Sequence, residues 1–134
     1  MDMRLANVIV PVSDVDRAKA FYLDRLGFGL DVDYRAGEDF RVVQLTPPGS
    51  GCAITLMRNG AAGSVHGLHL FVTDLAAARE ELLGRGAEVG EPYHFGEQGQ
   101  APGLHPDRAD CASFASLADP DGNGWLLQEV RSPG

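Results

Sequence analysis

Among the side chains of this sequence able to bind a metal or move a proton, His69 stands out, because it sits inside an apolar, strand-like run from Gly67 to Val72. Strand alternation puts residues two apart on one face, so Gly67, His69 and Phe71 share a surface. Leu126 and Gln128 stand in the same relation near the end of the chain. An imidazole in that setting can act as a general acid or base, or it can be a hydrogen-bonded buried histidine without a catalytic task. Glu129 falls on the opposite face from Gln128, and an asparagine, an imidazole and an amide would make a poor divalent site.

Other chemistries have less to work with. No Ser-His-acid order with a nucleophile-elbow sequence is present, and neither Cys52 nor Cys111 has a neighbouring basic residue that would lower its pKa. The two cysteines lack CxxC spacing and read as buried free thiols in apolar segments. Tyr93, His94, Phe95, His105 and Trp125 gather around one long stretch, where aromatic faces could stack on a planar ligand. His94 and His105 flank that stretch and read as solvent-exposed. Tyr34 and Arg41 could orient an anionic or carbonyl-bearing ligand, although a surface role also accounts for the arginine. Asp119-Pro120-Asp121-Gly122-Asn123-Gly124 is a dense turn signal leading into a strand, not a phosphate loop or a calcium loop.

The elements that must position these residues come as a repeat. Leu5 to Val12 is apolar and β-branched, and after Ser13-Asp14 the residues Val15, Ala18, Phe21, Tyr22 and Leu26 fall at helical spacing up to Gly27. The same grammar returns with Gly67 to Val72, the cap Asp74, the helical face Leu75, Ala78 and Leu82, and Gly86. Strand-like stretches follow each helix: 28–34, 40–46 and 52–57, then 88–95, 112–117 and 124–130. Each half therefore reads βαβββ. The predicted organisation is a single α+β domain over 1–134, with the first repeat in 1–58, a small-residue linker in 59–64 and the second repeat in 65–131. Residues 96–110 show no periodicity and are expected to form a loop, of the kind that serves as a lid or binding loop.

Composition bounds the partners. The chain has 134 residues, 44% of them apolar, enough for a buried core. A formal net charge of −8 argues against nucleic acid, which calls for clustered Lys and Arg. No apolar run approaches the roughly 20 residues that span a bilayer, and the first residues show no signal-peptide pattern, so no membrane association and a cytoplasmic location are expected.

The motifs VSDVDRAKAFYLDRLGF at 12–28, VTDLAAAREELLGRGAEV at 72–89 and DPDGNGWLLQEV at 119–130 resemble, in order and spacing, the vicinal oxygen chelate superfamily of glyoxalases, extradiol dioxygenases and bleomycin-resistance proteins. The resemblance implies two repeats forming a curved mixed sheet around a cleft, with the metal enzymes placing His and Glu ligands on the first and fourth strands of each repeat. Here those positions are Asn7, Gly67 and Leu126, and the strand 52–57 holds no acid and no histidine. The preferred reading is a metal-independent protein with no cofactor, which sequesters or carries a small organic compound, aromatic compounds included, as resistance-type members do. Its expected ligand-binding residues are Asn7, Ile9, Tyr34, Arg41, Gly67, His69, Phe71, Tyr93, Trp125, Leu126 and Gln128. The alternative is a lyase, isomerase or oxygenase that uses His69 as acid or base or holds a metal at displaced positions. A third reading is a ligand-free subunit-interaction module. The resemblance also implies a homodimer.

Overall fold

A computed structural model of the chain describes residues 1–131, which divide into two compact units: Met1–Val65 with Asp119–Asn123, and His66–Ala118 with the chain from Gly124 onward. Residues 59–64 contain neither strand nor helix. Each unit has its own mixed sheet, and the α+β reading of the sequence holds in both.

In the first unit β1 (Asn7–Val12) leads to α1 (Val15–Ala20), which runs on through a π-helical turn (Phe21–Arg25) to β2 (Gly29–Ala36), β3 (Phe40–Thr46) and β4 (Ala53–Arg58). The sheet order is β1-β4-β3-β2, with β1 and β4 parallel and the other pairs antiparallel. Alternation decides which side is buried: Val10, Val12, Val43, Leu45, Ile54 and Leu56 are buried, as are Val15, Ala18 and Tyr22 of the helix that packs on β3 and β4. Each buried Val, Leu or Ile side chain among these contributes about 1.5–3 kcal/mol by leaving water. Asp14 caps α1 by accepting from the Arg17 amide at 3.1 Å, and Gly27, at φ 73°, ends the helical segment.

The 119–124 turn belongs, through Asn123, to this first unit. The Asp119 carboxylate accepts from the Tyr22 hydroxyl at 2.8 Å and from the Asn123 side chain at 2.8 Å, and it also takes the backbone amides of Asp121 and Asn123. Asn123 in turn donates to the Pro11 carbonyl at 2.9 Å and accepts from the Val65 amide at 3.1 Å. The turn signal in the sequence is thus a buried polar hub with every group satisfied.

The second unit contains β5 (Leu68–Val72), α2 (Leu75–Gly84), β6 (Tyr93–Gly96), β7 (Gly99–Pro102), β8 (Ser113–Ala118) and β9 (Gly124–Glu129), in sheet order β5-β9-β8-β6-β7. Strands β5 and β9 are parallel and the other pairs antiparallel. Its buried side is made by Ala115, Leu117, Trp125 and Leu127, together with Leu75, Leu82, Ala87 and Val89.

Two expectations are corrected. The strand predicted over 88–95 starts only at Tyr93, because Pro92 has no N–H to give a ladder and the Val89 and Gly90 carbonyls are taken by the Arg79 guanidinium. The predicted loop over 96–110 contains β7, which pairs with β6 through a tight hairpin in which Gly96 faces Gly99.

Candidate functional site

The solvent-facing side of the second sheet collects chemistry-bearing residues. The register aligns Phe71 of β5 with Gln128 of β9, Gln128 with Phe114 of β8, and Phe114 with Tyr93 of β6. One cross-strand row therefore reads Phe71, Gln128, Phe114, Tyr93, and the next reads His69, Leu126, Ser116. Tyr93 stacks on Phe114 with ring centroids 5.6 Å apart, and Phe95 stands edge-on to both, at 5.9 and 5.8 Å. Phe71 and Phe95 remain 68% and 59% exposed. Large apolar rings left in water on an ordered sheet mark a surface made to be covered.

Within this apolar field lies one polar pair. His69 Nδ1 is 2.8 Å from Gln128 Oε1, and Gln128 Nε2 donates to the Cys111 carbonyl at 3.1 Å. The segment carrying Cys111 is tied down from below. Glu129, wholly buried, accepts a bidentate pair from Arg108 at 2.8 and 2.7 Å and the amide of Leu75 at 2.8 Å. The guanidinium, helped by that amide, holds the Glu129 carboxyl below its ordinary range. Cys111 donates its N–H to the Glu129 carbonyl at 2.7 Å, and both Arg108 and Cys111 adopt left-handed backbone, at φ 50° and 64°. These backbone conformations are costly for residues with a Cβ, and the Glu129 anchors sustain them.

The predicted site residues are distributed as follows. His69, Phe71, Tyr93, Leu126 and Gln128 share the face just described. Trp125 does not: it is 4% exposed and lies on the opposite side of β9, since consecutive strand residues point apart. Gly67 precedes β5 in a left-handed conformation, φ 83°, so strand parity does not extend to it. Asn7, Ile9 and Tyr34 belong to the first unit, whose solvent-facing side also carries Val32, Gln44 and Thr55 in register. There Asn7 Oδ1 accepts from the Thr55 hydroxyl at 3.2 Å. Arg41 is on the helix side of that sheet, bound to Asp33 and Asp16, while Tyr34 points the other way and meets Phe40 edge-on at 6.5 Å. The Arg41 and Lys19 cations hold the Asp33 carboxyl well below its usual range. A groove of about 350 Å³ beside Arg41 is lined by charges of both signs, among them Asp16, Arg35, Asp39 and Arg58. His94 Nδ1 donates to the Gly103 carbonyl at 2.8 Å, and His105 Nδ1 lies 3.2 Å from the Asp107 amide. Phe114, at the centre of the aromatic cluster, gave no periodic signal beyond one ring among small residues.

Comparison with known proteins places this arrangement. The family model of the Glyoxalase/Bleomycin resistance protein/Dioxygenase superfamily matches residues 4–127. The chain belongs to this superfamily. Among superfamily-like solved structures, TnmS3, an antibiotic binding protein from Streptomyces sp. CB03234, is 30% identical, with 96% of this chain and 97% of that chain covered and a TM-score of 0.74. A glyoxalase/bleomycin resistance protein from the same organism is 31% identical, covering 94% and 100% of the two chains, at a TM-score of 0.71. A curated uncharacterized protein of Shewanella frigidimarina (strain NCIMB 400) is 31% identical over 98% of this chain and 96% of its own length.

The metal that enzymes of the superfamily carry can be tested against the residues present. In the first unit, the Asn7 carboxamide is engaged by Thr55, and Ala53, Thr55 and Met57 of β4 share its face, supplying no carboxylate or imidazole. In the second, Gly67 has no side chain and Leu126 is apolar. Among the described residues no three His, Cys, Asp or Glu side chains converge. The donor set does not fit the superfamily's divalent ion.

Proposed function

We propose that this superfamily member is a metal-independent small-molecule-binding protein that sequesters or carries a planar aromatic compound on the open face of its second sheet. One observation carries the reading: the row Phe71, Gln128, Phe114, Tyr93 presents one exposed and two half-buried rings around a single ordered polar pair, apolar and aromatic lining with a few placed polar groups as in a small-molecule site. The antibiotic-binding description of TnmS3, 30% identical over nearly the whole chain, supports it.

Isothermal titration of the purified protein with planar aromatic antibiotics and simple fused-ring phenols tests this directly. Saturable binding is expected, unchanged by prior dialysis against chelator, and Phe114→Ala should weaken it about tenfold by removing the central ring. A folded protein that binds none of these compounds, or only after a divalent metal is added, would end the reading. A cytoplasmic homodimer is part of this proposal, the dimer following from the resemblance to the superfamily; separately, no helix among the described residues is long and apolar enough to cross a membrane. Light scattering during size-exclusion chromatography measures the stoichiometry.

A second reading is supported by the orientation of His69, whose Nε2 has no hydrogen-bond partner among the described residues. Such a nitrogen can serve as the general base of an isomerase or lyase. Turnover of a bound compound that disappears in His69→Ala while binding persists would establish the enzyme reading over simple sequestration.

A further inference from the structure

We infer that a relay from the Cys111 carbonyl through Gln128 holds His69 as its Nδ1–H tautomer, so that Nε2 is an acceptor and the selected ligand carries a hydroxyl or N–H donor at the rim of its aromatic plane. The inference deepens the proposed binding function and, for its ligand half, rests on it.

Each link follows from what its groups can do. The Cys111 carbonyl only accepts, so the Gln128 NH₂ faces it, at 3.1 Å. The amide oxygen therefore faces His69, and since that oxygen also only accepts, the hydrogen in the 2.8 Å contact belongs to Nδ1. A neutral imidazole has one N–H, so the lone pair is left on Nε2. The relay has a firm origin. The Cys111 amide is bound to the Glu129 carbonyl at 2.7 Å, Glu129 is clamped by Arg108, and the neighbouring Asp110 side chain accepts from the Arg131 amide at 2.7 Å. Gln128 itself lies in register between Phe71 and Phe114, neither of which has a side-chain hydrogen-bonding group to compete for its amide. A ring lying over Gln128, between Phe71 and Phe114, is thus beside His69, which stands two residues before Phe71 on β5. A ligand with a donor there gains a hydrogen bond, and one with only an ether oxygen leaves Nε2 facing another acceptor.

Full-length protein labelled with ¹⁵N-histidine tests the tautomer without any ligand. Long-range proton–nitrogen correlation is expected to show a protonated Nδ1 and a pyridine-type Nε2 for His69, reverting in Gln128→Leu to the Nε2–H form. Titration with 2-naphthol and 2-methoxynaphthalene tests the ligand half. The naphthol should bind roughly five- to tenfold tighter, the worth of one hydrogen bond, and His69→Phe, which keeps an aromatic ring, should erase the difference. A protonated Nε2 in the wild type, or equal affinity for the two probes, would overturn the inference. Failure of both probes to bind would overturn the binding reading and the ligand half with it, while the nitrogen spectrum would still decide the tautomer.

Discussion

With its carboxylate wholly buried, Glu129 depends on Arg108 and the Leu75 amide for the interactions water would otherwise supply. Removing the cation leaves the Glu129 charge uncompensated, so Arg108→Ala should lower the urea-unfolding midpoint, and Arg108→Lys should recover only part because it lacks the bidentate fork. The same pair sets an acid limit. The folded-state pKa of Glu129 is lowered from 4.5, so its stabilisation is complete above that value and is lost as the pH falls through the lower folded value. Asp33, also lowered, acts in the same direction. Unfolding free energy should therefore decline as the pH drops below about 4.5, and the decline should be shallower in Arg108→Ala; an equally steep decline in that variant would contradict the assignment. At this scale, alternation made His69, Phe71, Leu126 and Gln128 legible as one face. It also shows why Trp125 could not join Leu126, its immediate neighbour. Arg41 and Tyr34 parted because the β2–β3 register pairs Tyr34 with Val42, leaving Arg41 on the other side. Phe114 was hidden because one ring in Ser113-Phe114-Ala115-Ser116 carries no pattern until β6 brings Tyr93 beside it.

The elements that the sequence announced most clearly are those with two independent signals. Both helices have an aspartate cap before an apolar helical face, and both caps are made, by Asp14 to Arg17 and by Asp74 to Ala77 at 3.0 Å. Asp74→Ala should cost about 1 kcal/mol, read as a lowered urea midpoint with an unchanged slope; an unchanged midpoint would show that other contacts fix the start of α2. Strands were legible where β-branched apolar residues run together, as in Val8-Ile9-Val10. They were illegible where pairing alone defines them. The residues of β7, Gly-Gln-Ala-Pro, have no strand preference, and only the Gly96–Gly99 turn and the open edge of β6 recruit them. In the reverse case, Glu88-Val89-Gly90 looked like a strand, but α2 reaches over through Arg79 and takes its carbonyls. Neither outcome is encoded locally.

For the whole molecule, the path of the chain carries a consequence for cooperativity. The first unit consists of Met1–Val65 and the five residues Asp119–Asn123, yet that short segment is the connection between β8 and β9, strands of the second sheet. The chain thus passes from one unit to the other at 65–66, 118–119 and 123–124. The hub of the first unit, Asp119 with Tyr22 and Asn123 with Pro11 and Val65, can form only when that connection is in its native place. Loss of the β8–β9 pairing frees its ends and raises the entropic cost of holding five residues in a buried network. The two units should therefore unfold together, in one transition that is the same by near-ultraviolet circular dichroism of the aromatic rings and by far-ultraviolet signal. Asn123→Ala strands the Pro11 carbonyl and the Val65 amide, at a cost of about 2–3 kcal/mol. Its effect should appear as a shift of that single transition. Two separated transitions in the wild type, with Asn123→Ala moving only one of them, would show that each repeat folds independently and that the hub serves the first unit alone.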